Sequence, residues 1–229
     1  MTIEAVFRGS GDKDLLGGLA VPSGSGRHPT VLIVHEWWGL NDDINAIAER
    51  FAAEGFVALA VDLYKGRTTT SAAEAVKLAN ELKIADALPI VEAGRALAAA
   101  HPRSNGRVGI LGFCLGGGVA FAAACQNPAL EAAVPFYGTP PDEFLTFERA
   151  RCPILAHFGQ KDQIIPPKRV EAVKARAAKA GASLTVHFYD AGHAFMRKHD
   201  ASFYEPASAT LAWERTLAFL RGALGRATG

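Results

Sequence analysis

The sequence predicts an α/β fold: a single domain, residues 1–229, with a mostly parallel sheet and helices on both faces. Three observations predict it. Short β-rich apolar runs alternate with longer helical patterns along the chain, the arrangement that builds parallel sheets. The run Thr30 to His35 (TVLIVH) is apolar almost throughout, as a strand covered on both faces must be. With 229 residues, 49% of them hydrophobic, the chain is long enough to bury a substantial core and reads as one large domain or two small ones. No Ser/Gly linker marks a second domain; Ser23 to Gly26 is a turn too short to separate two.

The elements follow in order. Leu15 to Val21 is an early strand and Thr30 to His35 the first strongly apolar one. Asp42 or Asp43 caps a helix running to about Glu54, with Ile44, Ile47, Ala48 and Phe51 on one face and Gly55 at its end. Phe56 to Asp62 is a strand; Ser71 to Lys83 and Pro89 to Ala100 are helices. Arg107 to Phe113 is a strand, followed by small residues from Gly116 to Cys125 that suit a tightly packed helix. Ala132 to Tyr137, Ile154 to Phe158 and Leu184 to Tyr189 are further strands, with helices over Pro166 to Ala180 and Pro206 to about Leu224. In an open sheet of this kind ligands gather at the carboxyl ends of the strands.

Composition excludes several function classes. Lys+Arg 24 against Asp+Glu 23 leaves a formal charge of +1, so no basic field exists to hold nucleic acid or an anionic membrane surface. No apolar run approaches the ~20 residues that span a bilayer. Met1 to Glu4 lacks the start of a signal peptide, and three cysteines make no disulfide framework; a reduced, cytoplasmic protein is expected. The seven histidines lack metal-site spacing, HEWWG lacks the second histidine of a zinc-protease helix, and Gly116 to Gly118 is no phosphate loop. No cofactor or metal is expected, and a monomer is favoured.

The sharpest chemical signal is Gly112-Phe113-Cys114-Leu115-Gly116, directly between a strand and a helix. This is a nucleophile-elbow pattern with cysteine in place of serine. The turn lifts one side chain out of the sheet, and the following helix aims its N–H groups and positive dipole end at Cys114, which favours a thiolate there. A buried structural cysteine is the plainer alternative. A nucleophile needs a base and a group to orient the base. Asp162 lies just past the strand ending in Phe158, and His193 just past the strand ending in Tyr189. The order Cys114, Asp162, His193, each after its own strand, makes coincidence a poor account. The loop His35-Glu36-Trp37-Trp38-Gly39 follows the strand TVLIVH and sits where an oxyanion-hole donor belongs. The backbone N–H groups of Trp37 and Leu115 are assigned that role. Glu36 is expected to accept a hydrogen bond from the Cys114 thiol, keeping it protonated until substrate arrives.

These segments resemble the dienelactone hydrolase (carboxymethylenebutenolidase) family of the α/β-hydrolase fold. The resemblance rests on HEWWGLN at His35 to Asn41, AVDLY at Ala60 to Tyr64, SNGRVGILGFCLGG at Ser104 to Gly117, FYG at Phe136 to Gly138, GQKD at Gly159 to Asp162 and AGHAF at Ala191 to Phe195. It implies an eight-stranded, mostly parallel sheet, a Cys–His–Asp triad of Cys114, His193 and Asp162, and a glutamate, Glu36, paired with the cysteine. It further implies lactone opening through a thioester intermediate. Arg197, four residues past His193, matches an arginine that holds a substrate carboxylate in this family. One stretch departs. Between Leu78 and Asp86 the best-known members carry another arginine and pocket aromatics; here the stretch is LANELKIAD, with Lys83 its one cation. Trp37 and Trp38 are expected to rebuild an aromatic wall from the other side, so Arg197, Trp38 and Lys83 are the candidate substrate-binding residues.

The expected activity is hydrolysis of a small activated ester or lactone, with a carboxylate on the substrate. A thiol nucleophile suits leaving groups that are already good, such as an enolate. A broader carboxylesterase or thioesterase on the same machinery is the alternative within enzymes. A thiol redox sensor is the alternative outside them, but it gives no reason for Asp162, His193 and the oxyanion loop to coincide.

Overall fold

The structure is a computed structural model that describes residues 4–8, 15–225 and 227; Met1 to Ile3, read above for a signal sequence, lie outside the described residues. Its elements, in chain order, are β1 (Glu4–Arg8), β2 (Leu15–Ala20), β3 (His28–Val34), α1 (Asp42–Ala53), β4 (Val57–Val61), α2 (Ala72–Glu81), α3 (Ile84–Ala99), β5 (Ser104–Phe113), α4 (Leu115–Gln126), β6 (Ala132–Phe136), β7 (Ile154–Gly159), α5 (Pro167–Lys179), β8 (Leu184–Tyr189) and α6 (Pro206–Leu224). Two short 3-10 turns, Asp142–Phe144 and Phe147–Arg149, follow β6. The strands form one eight-stranded sheet in the order β1-β2-β4-β3-β5-β6-β7-β8. Only β2 runs against its neighbours; β4, β3, β5, β6, β7 and β8 are parallel.

The alternation of side chains along each strand divides the core into two layers. Leu32, Val34, Leu59, Val61, Val108 and Ile110 face one layer, packed under α2, α3, α4 and α5. Val31, Ile33, Ala58, Ala60, Leu111 and Phe113 face the other, under α1 and α6. Every residue of β3 and β4 is buried, which is why those strands read as continuous apolar runs. Each fully buried Val, Leu or Phe stabilises by about 1.5–3 kcal/mol. No helix among the described residues is long and apolar enough to cross a membrane.

Several element boundaries differ from the sequence reading. Helix α1 is capped by Asn41, whose Oδ1 accepts Ile44 N–H at 3.3 Å; Asp42 and Asp43 fall inside the first turn, where their charge suits the dipole. Helix α3 begins at Ile84, and Pro89 lies within it. The proline removes one backbone donor, but burial of Ala87, Val91 and Ala98 carries the helix through. Strand β5 begins at Ser104, because His28 pairs with Ser104 and Thr30 Oγ1 meets Ser104 Oγ at 2.7 Å. Strand β1 has no counterpart in the sequence reading; antiparallel pairing with β2 stabilises its five residues.

Candidate active site

Parallel alignment brings the carboxyl ends of β3, β5, β6, β7 and β8 to one edge, and the candidate residues stand just beyond them. Cys114 follows β5 with φ 54° and ψ −113°, a conformation that costs an L-residue about 1–3 kcal/mol. Two hydrogen bonds hold it: Cys114 N–H donates to Phe136 O at 3.0 Å, and Gly118 N–H donates to Cys114 O at 3.2 Å. The flanking glycines allow the crossing. A Cβ on Gly112 would collide with the Gly116 carbonyl, and one on Gly116 would lie 2.6 Å from His35 O. Leu115 opens α4, so its N–H precedes the intrahelical ladder.

His193 and Asp162 meet as expected. His193 Nδ1–H donates to Asp162 Oδ2 at 2.8 Å. Asp162 is buried, and its Oδ1 accepts Ile164 and Ile165 N–H at 2.8 and 2.9 Å, which fixes the carboxylate toward the ring. Burial pushes the imidazole down, but the bond to Asp162 and the neighbouring Cys114 thiol outweigh it and set His193 at about 9. His193 Nε2 is buried and has no well-formed hydrogen bond among the described residues. It stands close enough to Cys114 for the thiol to influence it, and such bonds often tighten only with substrate bound.

Glu36 departs from expectation. It does not take a hydrogen bond from the Cys114 thiol. Its Oε1 accepts the Tyr137 hydroxyl at 3.1 Å, and its Oε2 lies 3.4 Å from Arg197 Nε. The reason is geometric: Tyr137 and Arg197 reach the carboxylate from the β6 end and the loop after β8, one with a hydrogen bond and the other as an ion pair. Burial pushes Glu36 up, against the pull of Arg197, Tyr137 and His193, to about 7. Arg197, expected to hold a substrate carboxylate, already has partners in the protein. It pairs with Asp200 at 3.2 Å and lies over the rings of Trp38 and Phe203 at 5.1 and 5.7 Å.

Tyr137 was not singled out from sequence. It is buried, holds φ 35°, and sets its ring edge-on to His193 at 5.2 Å. Burial, with Glu36 and Cys114 beside it, pushes its hydroxyl well up, so it stays a donor. Its position one residue past a strand and before Gly138, the FYG signature, was the available signal.

Two hollows flank Cys114. The larger, about 620 Å³, runs past Trp37, Leu115, Lys83 and Phe144. The smaller, about 150 Å³, is closed by Trp38, Ile164, Arg197 and Phe203. Cys114, Trp37 and His193 belong to both. Lys83 is exposed at the start of α3, and Trp38 stands edge-on to Trp37 at 4.9 Å as one wall of the smaller hollow. Among the described residues no group of three His, Cys, Asp or Glu side chains is arranged to hold a metal ion.

The sequence profile of the Dienelactone hydrolase family matches residues 15–224. The chain belongs to the dienelactone hydrolase family. It is 31% identical over 208 residues to the carboxymethylenebutenolidase of Pseudomonas sp. (strain P51), covering 86% of this chain and 85% of that one. It is 34% identical over 215 residues to Protein usf of Aquifex pyrophilus, covering 90% and 92%. The crystal structure of a candidate dienelactone hydrolase from Klebsiella pneumoniae subsp. pneumoniae superposes with a TM-score of 0.86 at 28% identity, over 96% of this chain and 99% of that one. As a member of this family the chain is a hydrolase of the α/β-hydrolase fold.

Proposed function

We propose that the chain hydrolyses a small activated ester or lactone through a thioester on Cys114. The observation that carries this reading is the strained elbow at Cys114 set beside a hydrogen-bonded His193–Asp162 pair, with Cys114 and His193 lining one cleft. In the proposed reaction His193 takes the thiol proton and the thiolate attacks the carbonyl carbon. The Trp37 and Leu115 N–H groups receive the oxyanion, each worth roughly 3 kcal/mol. The leaving enolate departs from the tetrahedral intermediate and takes the proton from the His193 imidazolium, which returns the ring to its neutral form. Water deprotonated by His193 then attacks the thioester, and the carboxylic acid and free thiol are regenerated. Asp162 holds the imidazole with Nδ1 protonated, so that Nε2 can accept. Glu36, which burial pushes up to about 7, is assigned the exchange of a proton with this cluster near neutral pH.

Replacement of Cys114 by alanine tests the reading. Hydrolysis of p-nitrophenyl acetate by folded C114A is expected to fall by about 10⁴-fold, and an acyl adduct is expected by mass spectrometry in quenched wild type and not in C114A. Near-wild-type turnover by folded C114A overturns it.

Substrate class has a second reading, which the pairing of Arg197 with Glu36 and Asp200 favours. A guanidinium already matched by two carboxylates has less reason to bind a third, and the stretch 78–86 offers no other arginine. That supports a broader carboxylesterase, with Lys83 at the mouth of the larger hollow as the cation nearest an acidic substrate. The comparison is an acid-bearing lactone against its methyl ester, with wild type and R197A. Loss of about 10- to 150-fold on the acid alone supports carboxylate recognition by Arg197. Equal losses on both support the broader reading.

A further inference from the structure

His35 is a buried imidazole that the proposed reaction does not use. It stands one residue past β3, is 0% exposed, and is held at both ring nitrogens. Leu63 N–H donates to Nε2 at 3.0 Å, so the ring proton is on Nδ1. That Nδ1–H donates to the carbonyl oxygen of Glu36 at 2.6 Å, and Gly39 N–H donates to the same oxygen at 3.3 Å. Burial holds the imidazole below its ordinary value and keeps it neutral. The far end of this strut is rigid as well. Asp62, beside Leu63, accepts Tyr64 N–H at 2.8 Å and Gly66 N–H at 2.5 Å, and the Tyr64 ring packs on His35 at 4.8 Å.

The Glu36 carbonyl and the Trp37 N–H belong to one planar trans peptide, so they point in opposite directions. Holding the oxygen on the β4 side turns the N–H the other way, and Trp37 lines both hollows at Cys114. We propose that His35 is a positioning residue for the oxyanion hole: by fixing the Glu36–Trp37 peptide, it aims Trp37 N–H at the carbonyl oxygen under attack. This rests on the reading of Cys114 as nucleophile.

Two near-isosteric variants separate the contacts. Asparagine at position 35 puts an amide nitrogen where Nδ1 stands and keeps the donor to Glu36 O. Glutamine puts its amide near Nε2, keeping a partner for Leu63 and losing that donor. Removing an oxyanion donor outright costs about 10²–10³ in kcat, so H35Q, which only frees the peptide, is expected to lose about 10- to 100-fold in kcat with KM little changed. H35N is expected to recover most of that loss. Alkylation of Cys114 by iodoacetamide, which builds no oxyanion, is expected to stay near the wild-type rate in both. A small aldehyde, whose thiohemiacetal oxygen occupies the same hole, is expected to bind H35Q about tenfold more weakly. Wild-type kcat and aldehyde affinity in H35Q overturn the proposal. So does alkylation that falls in step with kcat, since His35 would then support the thiol's surroundings as a whole. C114A inactive with H35Q fully active removes this inference alone, whereas active C114A removes the reading beneath it.

Discussion

His157 is a buried imidazole and His193 a half-buried one, both on the carboxyl half of the sheet, and their basicities move in opposite directions. His157 lies within β7, stacked on Phe136 at 4.5 Å, and its hydrogen-bond partners are neutral. Its Nε2–H donates to Thr216 Oγ1 at 3.1 Å, which in turn donates to Ala212 O, and Nδ1 accepts the Tyr189 hydroxyl at 2.8 Å. Burial, with His187 and Arg215 adding to it, drives His157 well below the ordinary histidine value. His193 is opposed by burial too, but it donates to a carboxylate and stands beside a thiol, and reaches about 9. Burial alone makes a histidine an inert strut; an ionised partner makes it a base. One residue of each kind stands here, His157 within β7 and His193 in the loop after β8.

The comparison breaks most severely at Asp162. In D162N the charge opposite His193 is gone, so the imidazole is expected to fall from about 9 and kcat to drop by about 10³–10⁴-fold. An NMR titration of His193 checks it; an unchanged midpoint would show that Asp162 is not what raises the ring.

The opposite intervention is H157L. It removes two buried hydrogen bonds and is expected to cost about 2–4 kcal/mol of stability while leaving kcat within about twofold. The pH dependence sharpens the point. Because the folded value of His157 is depressed, its contribution is present above about 6.5 and is lost as pH falls below that, by about 1.4 kcal/mol per pH unit. Denaturant melts should therefore show the stability gap between wild type and H157L narrowing from pH 7.5 to 5.5. His193, with its folded value raised, has the opposite sign: its contribution is full below 6.5 and is lost as pH rises toward about 9. A gap that widens in acid is incompatible with a neutral buried His157.

The smallest effect concerns Tyr137. Its hydroxyl is one of the groups pulling Glu36 down, so Y137F is expected to move Glu36 above about 7 by less than one pH unit. The acid limb of the kcat/KM profile, or carbon-labelled glutamate resonances, can resolve a shift of that size. No shift, or a downward one, would mean that the Tyr137 bond does not bias the carboxylate.

The sheet and the Cys114, Asp162, His193 order were legible in the sequence because both are local. An apolar run with helical segments on either side declares a buried parallel strand, and a residue just past such a strand declares its place at the sheet's carboxyl edge. Where the local signal was ambiguous the reading slipped. The sequence pattern starts a helix at Pro89, yet the helix begins at Ile84, because burial of its face outweighs one missing donor. Strand β1 escaped because an edge strand of five residues owes its form to pairing with β2.

What the sequence determined by itself is therefore the inventory: the strands and helices, the elbow at Cys114, and a carboxylate and an imidazole at successive strand ends. Only the tertiary structure decided who partners whom. Glu36, Tyr137 and Arg197 come from three distant segments and meet because parallel strands deliver their ends to one edge. Which carboxylate then faces a thiol, a hydroxyl or a guanidinium depends on reach and burial across a few ångströms. Spacing along the chain carries no record of those distances, and the same holds for His35, whose partners Leu63 and Glu36 approach it from opposite sides.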